Sequence, residues 1–368
     1  MIPARMVLRW PGRSTDSRTP ENLVVEKGVT LADQPGHWSL RLYRPGDEDQ
    51  IIGLFHRVFG KERSLAHWRW RYRDNPEGAQ ILVAVTDAGK IVGHYAGIPV
   101  RATVDKKPFV FLILADNMVD RDYRLGLKKP GISTSLLTKI TQDCGAHDRS
   151  AIMYGFPTPE IMRMVQRLNE FIPHHAVRLV RSVDGEPHRT LWRRILKLWC
   201  QICSPVRRVD RFDASVDRLW ERCRTELRVA TVRDTRYLNW RYADCPGVTY
   251  RLFLAGGAMG IPALGIAVLR IGLEDQPVAC LVDWLVPSGA VAAADQLLER
   301  CVEEARLAGM KELRAWLPPS STWHQYLLNR GFQAVETDFI GVRSFTGAVP
   351  FALLDAHWYY TMGDSDIY

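Results

Sequence analysis

His67-Trp68-Arg69-Trp70-Arg71-Tyr72-Arg73-Asp74-Asn75-Pro76 reads against Tyr237-Leu238-Asn239-Trp240-Arg241-Tyr242-Ala243-Asp244-Cys245-Pro246, and the two share W-R-Y-x-D-x-P at an offset of 170 residues. A repeat settles the architecture before any single motif does. Each copy precedes the same succession: a strand (80–85; 249–254), a second strand (91–100; 263–271), a polar turn and a third strand (109–119; 278–286). A helix (131–144; 290–307), another strand (150–156; 312–317), a proline turn and a last helix ending near Phe171 and Phe332 complete it. The third strand carries Asp116 in one copy and Asp283 in the other. Hairpin-type turns between the early strands predict an α+β fold, a mixed and mostly antiparallel sheet flanked by helices, rather than a doubly wound parallel one.

The repeat sets two tandem domains, over 37–183 and 227–368, joined by a basic amphipathic linker over 184–226 that contains Pro187 and Pro205. Residues 1–36, rich in Arg, Ser, Thr and Pro, read as a mobile tail. With 46% hydrophobic and 24% charged residues in 368, the chain can bury real cores, which excludes disordered and collagen-like classes. No run approaches a membrane span, and Met1–Trp10 lacks a cleavable apolar signal, so a cytoplasmic location is expected. Seven scattered cysteines argue against a disulfide framework. The lone C-x-x-C of Cys200 and Cys203, and the His174-His175 pair, lack ligand-spaced partners, so no metal is expected.

The net charge of +8 is concentrated: seven basic residues against Asp210 lie between Arg189 and Arg211. Without a helix-turn-helix signature or zinc-finger spacing, nucleic acid is not an expected partner. On a helical wheel, Leu191, Trp192, Ile195, Leu196, Trp199 and Ile202 share one arc and Arg193, Arg194 and Lys197 the opposite one. That pattern over 190–203 suits a helix lying on an anionic membrane surface, at the inner face, or one buried against a domain.

The strand ending at Val119 runs into Asp120-Arg121-Asp122-Tyr123-Arg124-Leu125-Gly126-Leu127-Lys128-Lys129-Pro130-Gly131-Ile132-Ser133-Thr134, which opens a helix. Helix N-termini bind phosphates through unpartnered N–H groups and the helix dipole. Gly131 lets the backbone approach a pyrophosphate, Ser133 and Thr134 offer hydroxyls, and Arg124, Lys128 and Lys129 offer cations. The equivalent Gly289-Ala290-Val291-Ala292-Ala293-Ala294 has no cation, which favours the first copy as the phosphate site.

At these residues the chain resembles the GNAT superfamily of acyl-CoA-dependent N-acyltransferases, whose pyrophosphate loop reads Arg/Gln-x-x-Gly-x-Gly/Ala; Lys128 and Ser133 depart from it. More particularly it is similar to tandem GNAT proteins of bacterial polysaccharide and lipid-linked sugar loci. It shares their W-R-Y helix, a Gly155-Phe156-Pro157 turn and the ending Trp358-Tyr359-Tyr360-Thr361-Met362-Gly363-Asp364-Ser365-Asp366. The resemblance implies acetyl-CoA or another acyl-CoA as co-substrate and a small-molecule amine, an amino sugar or sugar nucleotide, as acceptor.

The implied reaction needs a base for the amine and a donor for the departing thiolate. Asp116 is the expected base, its carboxyl raised by Leu112, Ile113, Leu114 and Met118; capping, or pairing with an arginine of the W-R-Y helix, is the alternative. Tyr154 is the candidate donor, because the usual GNAT tyrosine is replaced by Gln166 and Leu327. Asp364 and Asp366, on one face of a terminal strand, could hold the amine or act as a second base; a solvated terminus is the alternative. Trp70 and Trp240 read as core plugs, with Arg71 and Arg241 tied to carboxylates. A non-catalytic GNAT-like scaffold and a membrane-surface acyltransferase using longer acyl chains are the other functions the sequence allows.

Overall fold

The computed structural model describes residues 37–124, 131–145, 150–158, 161–163, 165–166, 171–183, 206–257, 262–273, 276–345, 347 and 349–367. The tail over 1–36, Lys128, Lys129 and the amphipathic stretch over 190–203 lie outside them.

In the first half, β1 (Trp38–Leu42) and helix α1 (Glu48–Phe59) lead to α2 (Leu65–Trp68), which continues as a π-turn over Arg69–Arg73. Then come β2 (Gln80–Thr86), β3 (Ile91–Val104), β4 (Lys107–Val119), α3 (Ile132–Gly145), β5 (Ser150–Gly155) and β6 (Ile172–Ser182). The second half repeats the order. It runs β7 (Val206–Val209), α4 (Ser215–Cys223), a short β8 (Val229–Thr231), and α5 (Thr235–Leu238) with its π-turn over Asn239–Ala243. β9 (Tyr250–Gly256), β10 (Ala263–Leu273), β11 (Gln276–Leu285), α6 (Val291–Leu307), β12 (Glu312–Trp316), α7 (Thr322–Leu328) and β13 (Gln333–Ser344) follow, and α8 (Phe351–His357) and β14 (Trp358–Tyr359) end it.

Local chemistry explains the boundaries. Acidic Glu48 and Asp49 begin α1, and Gly60, at φ 66°, ends it in the left-handed region that glycine adopts without strain. Ser64 and Asp234 cap α2 and α5 by accepting the N–H of His67 and Tyr237. Asp105 and Lys106, both at positive φ, form the two-residue turn between β3 and β4, and Arg228 clamps the Asp105 carboxylate.

All strands join one sheet, whose main path is β1-β2-β3-β4-β5-β13-β6-β12-β11-β10-β9-β7. Among the described residues only β4–β5, β11–β12 and β8–β14 are parallel. The closing strands are exchanged: β13 of the second half lies beside β5 of the first, β6 of the first lies beside β12 of the second, and the two pair antiparallel in between. Neither strand was foreseen, because Pro173, His174 and His175 obscure the alternation of β6. Residues 206–226, expected in the linker, belong to the second half. β7 pairs with β9, and α4 buries Val216, Leu219, Trp220 and Cys223, because its apolar residues recur at helical spacing.

One core runs through both halves, and a smaller one, with Leu82, Leu114, Leu136, Ile140 and Met153, lies between α3 and the sheet. Gly93 seats α3: a Cβ there would collide with Ile132, so only glycine lets the start of the helix approach β3 this closely.

Candidate functional site

β4 and β5 pair only as far as Ile113 with Tyr154. Beyond that pair β4 runs on to Val119 while β5 ends at Gly155, so the strands part into a wedge. Gly155 faces Gly341 of β13, and both line the opening, where neither contributes a side chain. In the second half β11 and β12 likewise part after Leu281 with Ala315. There Trp316 stands in the place of Gly155, fully buried, and the Trp323 indole donates to the Val286 carbonyl (2.8 Å). The first wedge opens onto a cavity; at its counterpart Trp323 reaches the end of β11, while Trp316 stacks on Phe156 of the first half (5.8 Å).

The open wedge leads into a cavity of about 1850 Å³ lined by both halves. On the α3 side it meets Leu114, Asn117, Gly131, Ser133 and Thr134; on the opposite side of the sheet it meets Arg63, Trp70, Arg71, Asp116 and Trp240. The cavity therefore passes through the sheet. Arg124 lines it and donates from Nε to the Val119 carbonyl (3.0 Å), which fixes this cation beside the start of α3. Ser133 lines it too, its hydroxyl bonded to the Asn117 side chain (2.9 Å), so the two hold each other at the helix N-terminus.

Asp116 sits in a β-bulge at φ 53°, where Ala96 pairs with Ala115 but His94 pairs with Met118. Bulges re-aim side chains at such places. Its carboxylate accepts from Arg63 and from the Tyr72 hydroxyl, and His94 Nδ1 lies 2.8 Å from its main-chain carbonyl. Burial raises the Asp116 pKa, but the Arg71 and Arg63 charges outweigh it and hold the carboxyl well below the ordinary carboxylate range. This corrects the expectation of a raised carboxyl: the apolar neighbours Leu112 and Leu114 sit on the other face, and two guanidiniums decide the charge.

The second half repeats the arrangement. Arg233 Nε donates to Asp283 (2.9 Å) and Tyr242 donates to the other Asp283 oxygen (2.8 Å). Here the same guanidinium also binds Asp364 (2.6 Å), and Arg233, Asp283 and Asp364 are all at most 2% exposed. Arg63 and Arg233 stand seven residues before Trp70 and Trp240, and extending the repeat upstream would have revealed them.

Two expected site residues are enclosed elsewhere. Tyr154 is fully buried, and its hydroxyl donates to the Asp364 carbonyl (2.9 Å); burial and the Asp364 charge raise its pKa well above the ordinary value. It does not line the cavity, because β5 turns it toward the core shared with Trp358. Asp364 is locked in a capping box with Thr361 and paired with Arg233, likewise away from the cavity. Asp364 and Asp366 do not share a strand face: a 3-10 turn over Met362–Asp364 sends them to different places.

Asp366 does reach the cavity, and it accepts from Arg71 (3.1 Å). Burial raises its carboxyl pKa, with the Asp116 charge adding to the rise and the Arg71 charge opposing it. His67, which no motif singles out, also lines the cavity. Burial and then the Arg63 and Arg71 charges lower its imidazole to about 4. The two π-turns meet back to back: each tryptophan indole, Trp70 and Trp240, donates to the other's carbonyl (2.6 and 3.0 Å), and the rings stack at 5.4 Å. Arg241 donates to the Gly363 and Ser365 carbonyls and to the Tyr250 hydroxyl. Among the described residues no three metal-ligating side chains come together.

Residues 39–165 match the family described as "Acetyltransferase (GNAT) domain", a stretch of about a third of the chain. No curated protein matches the sequence. Among solved structures, a probable N-acyltransferase from Enterococcus faecalis and a GCN5-related N-acetyltransferase from Anabaena variabilis are each 11% identical, with TM-score 0.63. Each alignment covers 84% of this chain and 73% of the other. Saccharomyces cerevisiae N-myristoyltransferase, solved with bound myristoyl-CoA, is 13% identical with TM-score 0.53, over 89% of this chain and 81% of that one. The open wedge, the bulged strand beside it and the helix that starts at its mouth are thus parts of a GNAT-like fold, and residues 39–165 match the GNAT acetyltransferase domain family.

Proposed function

We propose that the protein is an acyl-CoA-dependent N-acyltransferase in which two GNAT-like halves share one site, with the acyl-CoA in the first half and the amine between the two. The observation that carries this reading is the contrast between the wedges: Gly155 leaves the first one open onto the cavity, and at the second the Trp323 indole bonds the Val286 carbonyl at the end of β11. The pantetheine lies along β4 past the bulge. The pyrophosphate takes the N–H groups at Gly131–Thr134, helped by Arg124, Lys128 and Lys129.

The acyl carbonyl then reaches the far side of the sheet, where the amine attacks it. The C–N bond forms, the C–S bond breaks and CoA leaves as its thiolate. Asp366 takes the amine proton, since it faces the cavity and has a raised pKa. Asp116, with its oxygens bound by Arg63 and Tyr72, positions the bulge and holds Arg63 in place. A sugar amine is the first acceptor to try, since Trp240 and Tyr250 offer aromatic walls.

Calorimetry with acetyl-CoA and with a long-chain acyl-CoA tests the reading on the native chain, Gly131→Trp and Gly155→Trp. The native chain should bind, and both variants should lose binding at least tenfold, with the melting temperature kept within a few degrees in Gly131→Trp and lowered in Gly155→Trp, where a Cβ would press on Leu114. Absence of binding by either acyl-CoA to the native chain would favour a non-catalytic scaffold, and preference for the longer one would favour the membrane-surface acyltransferase.

A further inference from the structure

The acceptor side of the cavity holds more positive charge than its carboxylates balance. Six cationic side chains and three carboxylates line the cavity among the described residues. Arg63 is matched by Asp116 and Arg71 by Asp366, and Arg124 lies at the α3 end. Arg270 stands on the opposite wall, on β10, half-buried, and the structure gives it one long hydrogen bond, to the Ile367 carbonyl (3.5 Å). A guanidinium has five donors in a fixed fork that suits a carboxylate or phosphate edge, and among the described residues one distant carbonyl answers only part of that fork.

A simple alkylamine is a cation at neutral pH, and a cleft with net positive lining repels it. An amine that also bears a negative group is not repelled, and its anion has a place to dock. Arg270 bonds the carbonyl of Ile367, the residue that follows Asp366, and both Arg270 and Asp366 line the same cavity.

We propose, on the acyltransferase reading above, that the acceptor is an amine carrying a carboxylate or a phosphate, with Arg270 binding that anion while Asp366 faces the amine. A charge-assisted, partly enclosed contact of this kind fixes the orientation of the nucleophile as well as its affinity.

The test uses the full chain with an acyl-CoA shown to bind, following CoA release with a thiol reagent. Matched pairs serve as acceptors: amino acids against their carboxamides, and an aminosugar phosphate against the neutral aminosugar. The anionic member of at least one pair should have a kcat/KM at least tenfold higher, and which pair responds tells carboxylate from phosphate. Arg270→Gln should raise KM for that acceptor at least tenfold, with acyl-CoA affinity unchanged, and Arg270→Lys should recover part of the loss. Equal or better turnover of the neutral members, an unchanged preference in Arg270→Gln, or acyl-CoA binding with no anionic amine acylated would each overturn the proposal. Failure to bind any acyl-CoA would instead remove the acyltransferase reading on which it rests.

Discussion

Asp116 and Asp283 occupy the same position in the two halves and take the same partners, an arginine before the W-R-Y turn and its tyrosine. The trio recurs in both halves, which is what a structural role beside the W-R-Y turn predicts. The two carboxylates at the cavity therefore answer differently to pH. Asp116, depressed below the ordinary value, contributes stability that is complete above about pH 4 and lost as pH falls through its own pKa. Asp366 is raised, so its acid form persists to higher pH, and a rate that needs the ionised form falls on the acid side from above the ordinary carboxylate range. We expect Asp366→Asn to lower kcat by about 10² to 10⁴ and to abolish that acid limb. Asp116→Asn should act on stability, moving the urea midpoint at pH 7 and flattening its acid dependence. An unchanged pH profile in Asp366→Asn would remove Asp366 as the base.

Four strands of each half, and the helix between the third and the fourth, were legible, because the repeat supplies each of them twice and each reading checks the other; β6, β7 and β13 were not. What was not legible depends on register and contact. Gly155 and Trp316 become equivalent only when the last parallel pairs, Ile113 with Tyr154 and Leu281 with Ala315, are known. Tyr154 pointed to the site only as long as strand orientation was unspecified; one residue of β-alternation turns a side chain from one face to the other. At the C-terminus, a D-x-D spacing suggests a shared face only in a strand, and the 3-10 turn breaks that logic. The amphipathic stretch over 190–203 is the element whose partner is still to be assigned. As an interfacial helix it should co-sediment the protein with anionic vesicles at low salt and release it as salt rises; no binding at low salt would assign its apolar arc to the protein's own surface. Among the described residues no helix is long and apolar enough to cross a membrane.

At the scale of the whole molecule, the two halves are bound by exchanged strands, by the reciprocal Trp70 and Trp240 bonds and by a cavity that needs both walls. A fragment ending at residue 183 keeps β6 but loses β12 and β13, leaving the antiparallel edge of β5 and both edges of β6 uncovered. Such edges invite aggregation. We expect that fragment to be insoluble or molten and to bind no acyl-CoA, whereas the full chain should unfold in a single transition by circular dichroism and by tryptophan fluorescence. Two resolved transitions, or a soluble fragment that binds acyl-CoA, would show that the halves are independent.

The exchange of β6 and β13 also bears on how the chain is born. β5 leaves the ribosome with its neighbour still unsynthesised, because Ser344, which pairs with Ile152, is encoded nearly two hundred residues later. At about 5–20 residues per second, that interval is roughly 10–40 s of translation. Throughout it the nascent first half carries an unpaired strand edge beside its open wedge, so chaperone dependence during synthesis is expected to exceed that of a chain whose halves close on themselves.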